Sequence, residues 1–113
     1  MIHEARRSPR RQPTASITVT DHMAESSIGR LGNVSESGML LLASAPLTED
    51  ALYQLGFTLP DRQGREHPIE VGVHLLWLEQ AHAPGQHWAG FRFLTISEEH
   101  RERLRDWVAE AQA

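Results

Sequence analysis

Apolar and polar residues alternate along much of this chain, with the period of two that characterises a strand buried on one face. The longest alternation ends at a tryptophan and consists of Ile69, Val71, Val73, Leu75 and Trp77. It predicts a strand over residues 69–77 whose apolar face, Trp77 included, lies in the core.

Five other segments have strand patterns of their own. They are residues 14–20, 28–34, 39–43, 53–59 and 88–93. Clusters of turn-forming residues, such as Pro84 and Gly85, lie between several of them. Six short strands at this spacing predict an all-β fold, a six-stranded antiparallel sheet closed into a barrel.

The apolar period changes near the C-terminus, where one face of a helix is formed by Leu104, Trp107, Val108 and Ala111. Thr95 or Ser97 is the expected N-cap, and Glu98 and Glu99 would follow in the first turn, where carboxylates favour the helix dipole. The pattern predicts a C-terminal helix at about 97–111 that covers one opening or edge of the barrel.

The 113 residues are 40% hydrophobic and 23% charged, which is typical of one globular domain. Residues 1–13 contain two prolines and few apolar residues, so they are expected to form a flexible N-terminal arm on a single domain at 14–113. The chain has no cysteine, which excludes disulfides and zinc–thiolate sites. No apolar run suits membrane insertion, and a cytoplasmic protein is expected.

Charge is unevenly distributed along the chain. The four arginines of the arm, set against Glu4, give +4 − 1 = +3 before residue 12, although the net charge of the whole chain is −4. The remaining residues therefore carry −7. A basic arm on an acidic body indicates a local site for an anion and argues against a DNA-binding protein.

The arm contains the spacing Arg-x-x-x-Arg twice, as Arg6 with Arg10 and as Arg7 with Arg11. In an extended segment, residues four apart point the same way and are separated by roughly 13 Å. A guanidinium group binds phosphate with two hydrogen bonds, stacks on a base or pairs with the O6/N7 edge of guanine. The alternative is a solvated basic tail, or a patch for RNA or a membrane surface.

A second candidate is the segment Asn33-Val34-Ser35-Glu36-Ser37-Gly38. The Asn33 and Ser35 side chains can bond nearby backbone groups, and Gly38 permits close approach of a ligand. The alternative is an ordinary turn between two strands.

Arg-x-x-x-Arg before the first strand and Asn-x-Ser-x-x-Gly after the second together resemble the signature of the PilZ domain family. Nearly the whole chain fits the resemblance, including the tryptophan-ending strand and the C-terminal helix. It implies a small barrel that binds cyclic di-GMP between the arm and the turn at Asn33, Ser35 and Gly38. Arg6 and Arg10 match the motif best because Pro9 precedes the second arginine. Asn33 stands where many members have Asp.

Trp77 is expected in the core, with contact to the ligand as the alternative. The seven histidines are scattered without metal-ligand spacing, so no metal site and no cofactor are expected. No arrangement of catalytic residues is visible, and we interpret the chain as a non-enzyme.

The resulting hypothesis is a stand-alone cyclic di-GMP receptor, a monomer or weak homodimer, that signals to an effector protein in trans. One alternative is a nucleotide-independent PilZ-type adaptor in pilus or flagellar motility. Another is an RNA binder with a basic arm, which the acidic body and the lack of aromatic residues in the arm disfavour.

Overall fold

The computed structural model describes residues 8–111. In chain order its elements are the strands β1 (Thr18–Asp21), β2 (Ser26–Val34), β3 (Gly38–Ala43), β4 (Leu52–Pro60), β5 (Glu66–Gln80) and β6 (His87–Ile96), and the helix α1 (Glu98–Glu110). Every pair of neighbouring strands is antiparallel, and the sheet closes in the order β1, β2, β3, β6, β5, β4. The predicted six-stranded barrel with a C-terminal helix is confirmed.

The interior is filled by the apolar side chains of alternating strand positions. In β4 these are Leu55, Phe57 and Leu59, and in β5 they begin with Ile69 and Val71. The alternation read from the sequence therefore identifies the core face of both strands, as far as Leu75 in β5. Burial of these side chains is the main source of stability for a barrel of this size.

Helix α1 begins where its capping residue predicts. Ser97 has an extended backbone, and its side chain accepts a hydrogen bond of 3.1 Å from the amide of His100. The helix then packs against β5 and adds Leu104, Trp107 and Val108 to the same apolar cluster that the strands form.

The first strand is shorter than the predicted 14–20. Ala15 is exposed, and only Thr18–Asp21 form a ladder. Pro13 has no N–H to donate, and the residues after it gain little from burial because they are small or polar. Upstream of β1, the chain is attached to β2 by the amide of Leu31 bonding the carbonyl of Ile17 and by a bridge between Arg11 and Val34.

The ladder between β5 and β6 contains two bulges, which leave Leu76 of β5 and Leu94 of β6 without a partner. A bulge shifts the alternation by one residue and turns a side chain to the other face. The bulge at Leu76 places Trp77 on the outer face in this way. Leu76 and Leu94, which have no partner across the ladder, are 46% and 47% exposed.

Candidate functional site

The turn between β2 and β3 is organised around a fully buried serine. The Ser35 hydroxyl accepts hydrogen bonds of 3.2 Å from the amides of Ser37 and Gly38, and the Ser35 amide donates to the Gly38 carbonyl at 2.9 Å. A Cβ on Gly38 would lie 2.4 Å from the carbonyl oxygen of Phe91, so only glycine allows β3 to approach β6 here. Ser35 and Gly38 thus shape the turn that presents Asn33.

Arg10 lies against this turn. Its Nε donates to Asn33 Oδ1 at 2.7 Å, and one of its terminal nitrogens donates to Ser35 Oγ at 3.2 Å. The second arginine of one predicted pair and two residues of the predicted turn are therefore in contact, although 23 to 25 positions separate them in the sequence. Asn33 Nδ2 has no hydrogen-bond partner within residues 8–111, so this amide is available as a donor.

Arg11 points away from Arg10 and is bound to the end of α1. Its guanidinium group stacks 3.9 Å from the centre of the Trp107 ring, donates to the Trp107 carbonyl at 2.6 Å and lies 3.3 Å from Glu110 Oε1. Its backbone pairs with Val34 in both directions. Arg11 attaches the arm to the helix and does not line the groove beside Arg10.

Each of the two arginine pairs expected from the sequence has one member in the described part of the chain. Arg6 and Arg7 lie outside the described residues. Of the two residues that are described, Arg10 borders the turn and Arg11 is engaged elsewhere.

A surface groove of about 310 Å³ begins beside Arg10 and crosses β3, β6 and β5. We call it the arginine groove, and the residues that define it are Arg10, Ser37, Gly38, Trp77, Gly90 and Arg92. None of the described residues that line it is acidic. The groove therefore combines positive charge with an aromatic surface.

Trp77 is 41% exposed in this groove, so the prediction that it lies in the core is wrong. The bulge at Leu76 ends the alternation after Leu75, and Trp77 pairs with Gly90 from the outer face of the sheet. The indole lies directly over Gly90, where an added Cβ would be 2.3 Å from Cε2 and Nε1 of the ring. Trp77 remains a candidate for ligand contact because one part of its ring faces the groove.

Arg92 is a functional candidate that the sequence analysis missed. It stands opposite Gly38 on β6, and within the described part of the chain its guanidinium group has no hydrogen bond or ion pair. The signal was present in the sequence, because Trp88, Gly90 and Arg92 share the outward face of their strand. An exposed arginine without a partner, beside an exposed tryptophan, can bind an anion attached to a flat ring.

The turn of the site is also tied to α1. Arg105 donates to Glu36 at 3.1 Å, and this ion pair raises the pKa of Arg105. Glu36 lies between Ser35 and Ser37, and Arg11 holds the arm to the last turn of the same helix. Both halves of the candidate site therefore contact α1.

Two further properties concern the described residues only. Among residues 8–111, no group of three or more His, Asp or Glu side chains is arranged to hold a metal ion. No helix in the same range is long and apolar enough to cross a bilayer.

Comparison with known proteins gives a consistent result. The family model for the PilZ domain matches residues 4–110. A search of curated proteins found no match. Among solved structures, the Bacillus subtilis inhibitor of motility MotI/DgrA has a TM-score of 0.74 at 13% identity, covering 94% of this chain and 50% of that one.

The Escherichia coli protein YcgR in complex with c-di-GMP has a TM-score of 0.70 at 21% identity, over 94% of this chain and 45% of YcgR. The isolated PilZ domain of YcgR with c-di-GMP has a TM-score of 0.66 at 20% identity, over 94% and 93% of the two chains. The chain thus spans about half the length of MotI and YcgR. At these identities the likeness shows the fold.

Proposed function

The chain belongs to the PilZ domain family, and from this premise we propose that it is a receptor for cyclic di-GMP that binds the dinucleotide in the arginine groove. The observation that carries the proposal is the contact of Arg10 with Asn33 and Ser35 at the end of a groove that contains Trp77 and Arg92. Solved structures of the same fold contain c-di-GMP, which supports this choice of ligand.

The chemistry of the groove suits both parts of the ligand. A phosphate between Arg10 and Arg92 would receive charge-assisted hydrogen bonds, which are about twice as strong as neutral ones. A guanine would stack on the exposed part of the Trp77 ring. The free Nδ2 of Asn33 can donate to guanine O6 or N7, the acceptors on that edge of the base.

We further propose that residues 1–13 act as a binding arm on a domain formed by residues 14–113, with Arg6 as the partner of Arg10. Binding would exchange the contacts of Arg10 with Asn33 and Ser35 for contacts with phosphate. Arg11 follows Arg10 directly and is hydrogen-bonded to α1, so a movement of Arg10 would change the contact between the arm and the helix. The receptor would then act on an effector protein in trans, without catalysis of its own.

The test is a calorimetric titration of the whole chain with cyclic di-GMP, with GTP and cyclic di-AMP as controls. Selective saturation at one or two nucleotides per chain is expected. Arg10→Ala should weaken binding by about 1.5–3 kcal/mol, or roughly 10- to 150-fold, because a charged hydrogen-bond donor is lost. Arg65→Ala is the matched control, since Arg65 is 75% exposed and does not line the arginine groove.

Absence of both heat and thermal stabilisation at high cyclic di-GMP would contradict the proposal. So would equal binding of GTP, or unchanged affinity in Arg10→Ala. A chain that fails these tests but still binds a protein partner would be the nucleotide-independent adaptor.

A further inference from the structure

A second groove, of about 270 Å³, lies on β4, β5 and β6 and shares no lining residue with the arginine groove. Its rim consists of three large apolar side chains, Met23, Leu52 and Leu94, which are 79%, 65% and 47% exposed. Gly72 and Val73 lie between them. We call this surface the apolar groove.

Closure of the barrel does not account for these exposed side chains. Leu94 lies on the outward face of β6, two residues after Arg92, whereas Phe93 between them packs against the core. Gly72 keeps the floor open, since a Cβ there would lie 2.3 Å from Thr95 Oγ1. Single exposed apolar residues are ordinary on protein surfaces, but three around one groove mark a site of interaction.

The charge around the apolar groove is opposite in sign to that of the arginine groove. The segments that contain its lining residues, together with their near neighbours in the sequence, are residues 21–25, 48–54, 70–74 and 94–99. They contain seven acidic residues and no Arg or Lys. Asp21 is buried and accepts hydrogen bonds from its own turn; the other six are Glu25, Glu49, Asp50, Glu70, Glu98 and Glu99.

Two of these carboxylates, Asp50 and Glu70, are exposed to solvent. The side chain of Asp50 is 87% exposed and that of Glu70 is 49% exposed. Glu70 accepts a hydrogen bond from His22, which lowers the pKa of Glu70 and favours its ionised form. The border of the groove is therefore negative toward an approaching molecule.

We propose that the apolar groove is the docking surface for the effector protein, and that the docked element is an amphipathic segment whose apolar side chains are flanked by Lys or Arg. This inference rests on the proposed receptor function, of which it specifies the partner. The apolar rim would bury the apolar side chains, and the acidic border would pair with the basic flanks.

The same observations disfavour other occupants. A nucleic acid or an anionic membrane would be repelled by the acidic border. A symmetric dimer through this face would bring two acidic borders together, because both copies use the same patch.

The nucleotide and the partner would also share a structural element. Arg92 of the arginine groove and Leu94 of the apolar groove lie two residues apart on β6, and Trp77 and Gly72 both belong to β5. A change in the pairing of β5 and β6 would alter both the arginine groove and the apolar groove.

The test uses the whole chain and a synthetic probe, a fluorescein-labelled amphipathic peptide of about 14 residues, or four helical turns, with Leu on one face and Lys at both flanks. Fluorescence anisotropy should show saturable binding that weakens with added salt. The double variant Leu52→Ser/Leu94→Ser should lose about tenfold or more in affinity. Met23→Ser is a second variant, at an exposed turn where folding is not at risk.

Two controls separate this inference from the proposed function. A peptide with Glu in place of Lys should not bind. Leu76 is as exposed as Leu94 but lies beside Trp77, along the arginine groove, so Leu76→Ser should leave Lys-peptide binding unchanged. Cyclic di-GMP should bind the Leu52→Ser/Leu94→Ser protein as tightly as the wild type. If the nucleotide binds and the peptide does not, the docking surface is refuted and the receptor function stands.

The inference is likewise overturned if the Glu peptide binds equally well, or if the double variant binds the Lys peptide like the wild type. Self-association of the wild type, abolished by Leu94→Ser in sedimentation experiments, would assign the groove to a second copy instead. If the peptide binds as expected and cyclic di-GMP does not, only the nucleotide-dependent part of the proposal fails.

Discussion

The contact between Trp77 and Gly90 allows the ligand-stacking role of the tryptophan to be tested without removing it. In Gly90→Ala the new Cβ would lie 2.3 Å from the indole, well inside van der Waals contact. The ring must therefore swing off Gly90, and it can do so because it is already 41% exposed. The fold should survive this change while the surface available for stacking is lost.

The size of the effect follows from the exposed part of the ring. A tryptophan side chain of about 250 Å² that is 41% exposed leaves roughly 100 Å² for a base to cover. At about 25 cal/mol per Å², full coverage would contribute about 2.5 kcal/mol. A base that covers only part of this surface gives about 1 kcal/mol, so both Trp77→Ala and Gly90→Ala should weaken binding roughly 5- to 60-fold.

The assay is a titration with cyclic di-GMP of the wild type, the two single variants and the double variant. Because both substitutions remove the same contact, their effects should not add, and the double variant should resemble Trp77→Ala. Trp88→Ala is the control, since Trp88 lies outside the arginine groove. Wild-type affinity in Trp77→Ala, or simple addition of the two single effects, would refute the stacking role.

Three further predictions concern stability. Arg11→Ala should lower the free energy of unfolding by about 2 kcal/mol in urea denaturation, because the cation–π contact with Trp107 and the hydrogen bond to its carbonyl are lost. Arg11→Lys should recover only part of this loss. An unchanged urea midpoint in Arg11→Ala would contradict the role of Arg11 in holding the arm to α1. Ser97→Ala should lower the free energy of unfolding by about 1 kcal/mol because the N-cap of α1 is lost, and the thermal midpoint should fall with it. A hydrogen bond from His67 lowers the pKa of Asp61, so the ionised carboxylate stabilises the folded state at neutral pH. That contribution should be lost as the pH falls below about 4, and Asp61→Asn should show a smaller loss than the wild type over this range in acid denaturation.

Much of the fold was predictable because it depends on local patterns. The alternation in β4 and in the first part of β5 identified the buried face, and Ser97 marked the start of α1. The resemblance to the PilZ family, drawn from the arginine pair and the turn from Asn33 to Gly38, is confirmed by the family match. The assignment of ligand contacts to individual residues stays a prediction.

The candidate site was predictable only in part. Asn33, Ser35 and Arg10 were identified from their spacing, and the structure brings them together. Arg11 was grouped with them because it repeats the same spacing, yet it contacts the helix. Adjacent residues of an extended segment point in opposite directions. Spacing alone does not show which of the two faces the site, because that depends on what lies on each side of the segment.

The sequence by itself determined which segments become strands and helix and which faces are apolar, because hydrophobic periodicity and capping act within a few residues. Only the tertiary structure decided where the register of β5 and β6 shifts, since a bulge depends on how two whole strands pair. That shift turned Trp77 out of the core. Closure of the barrel then brought Arg92 beside the turn at Gly38, which lies more than fifty residues earlier in the chain.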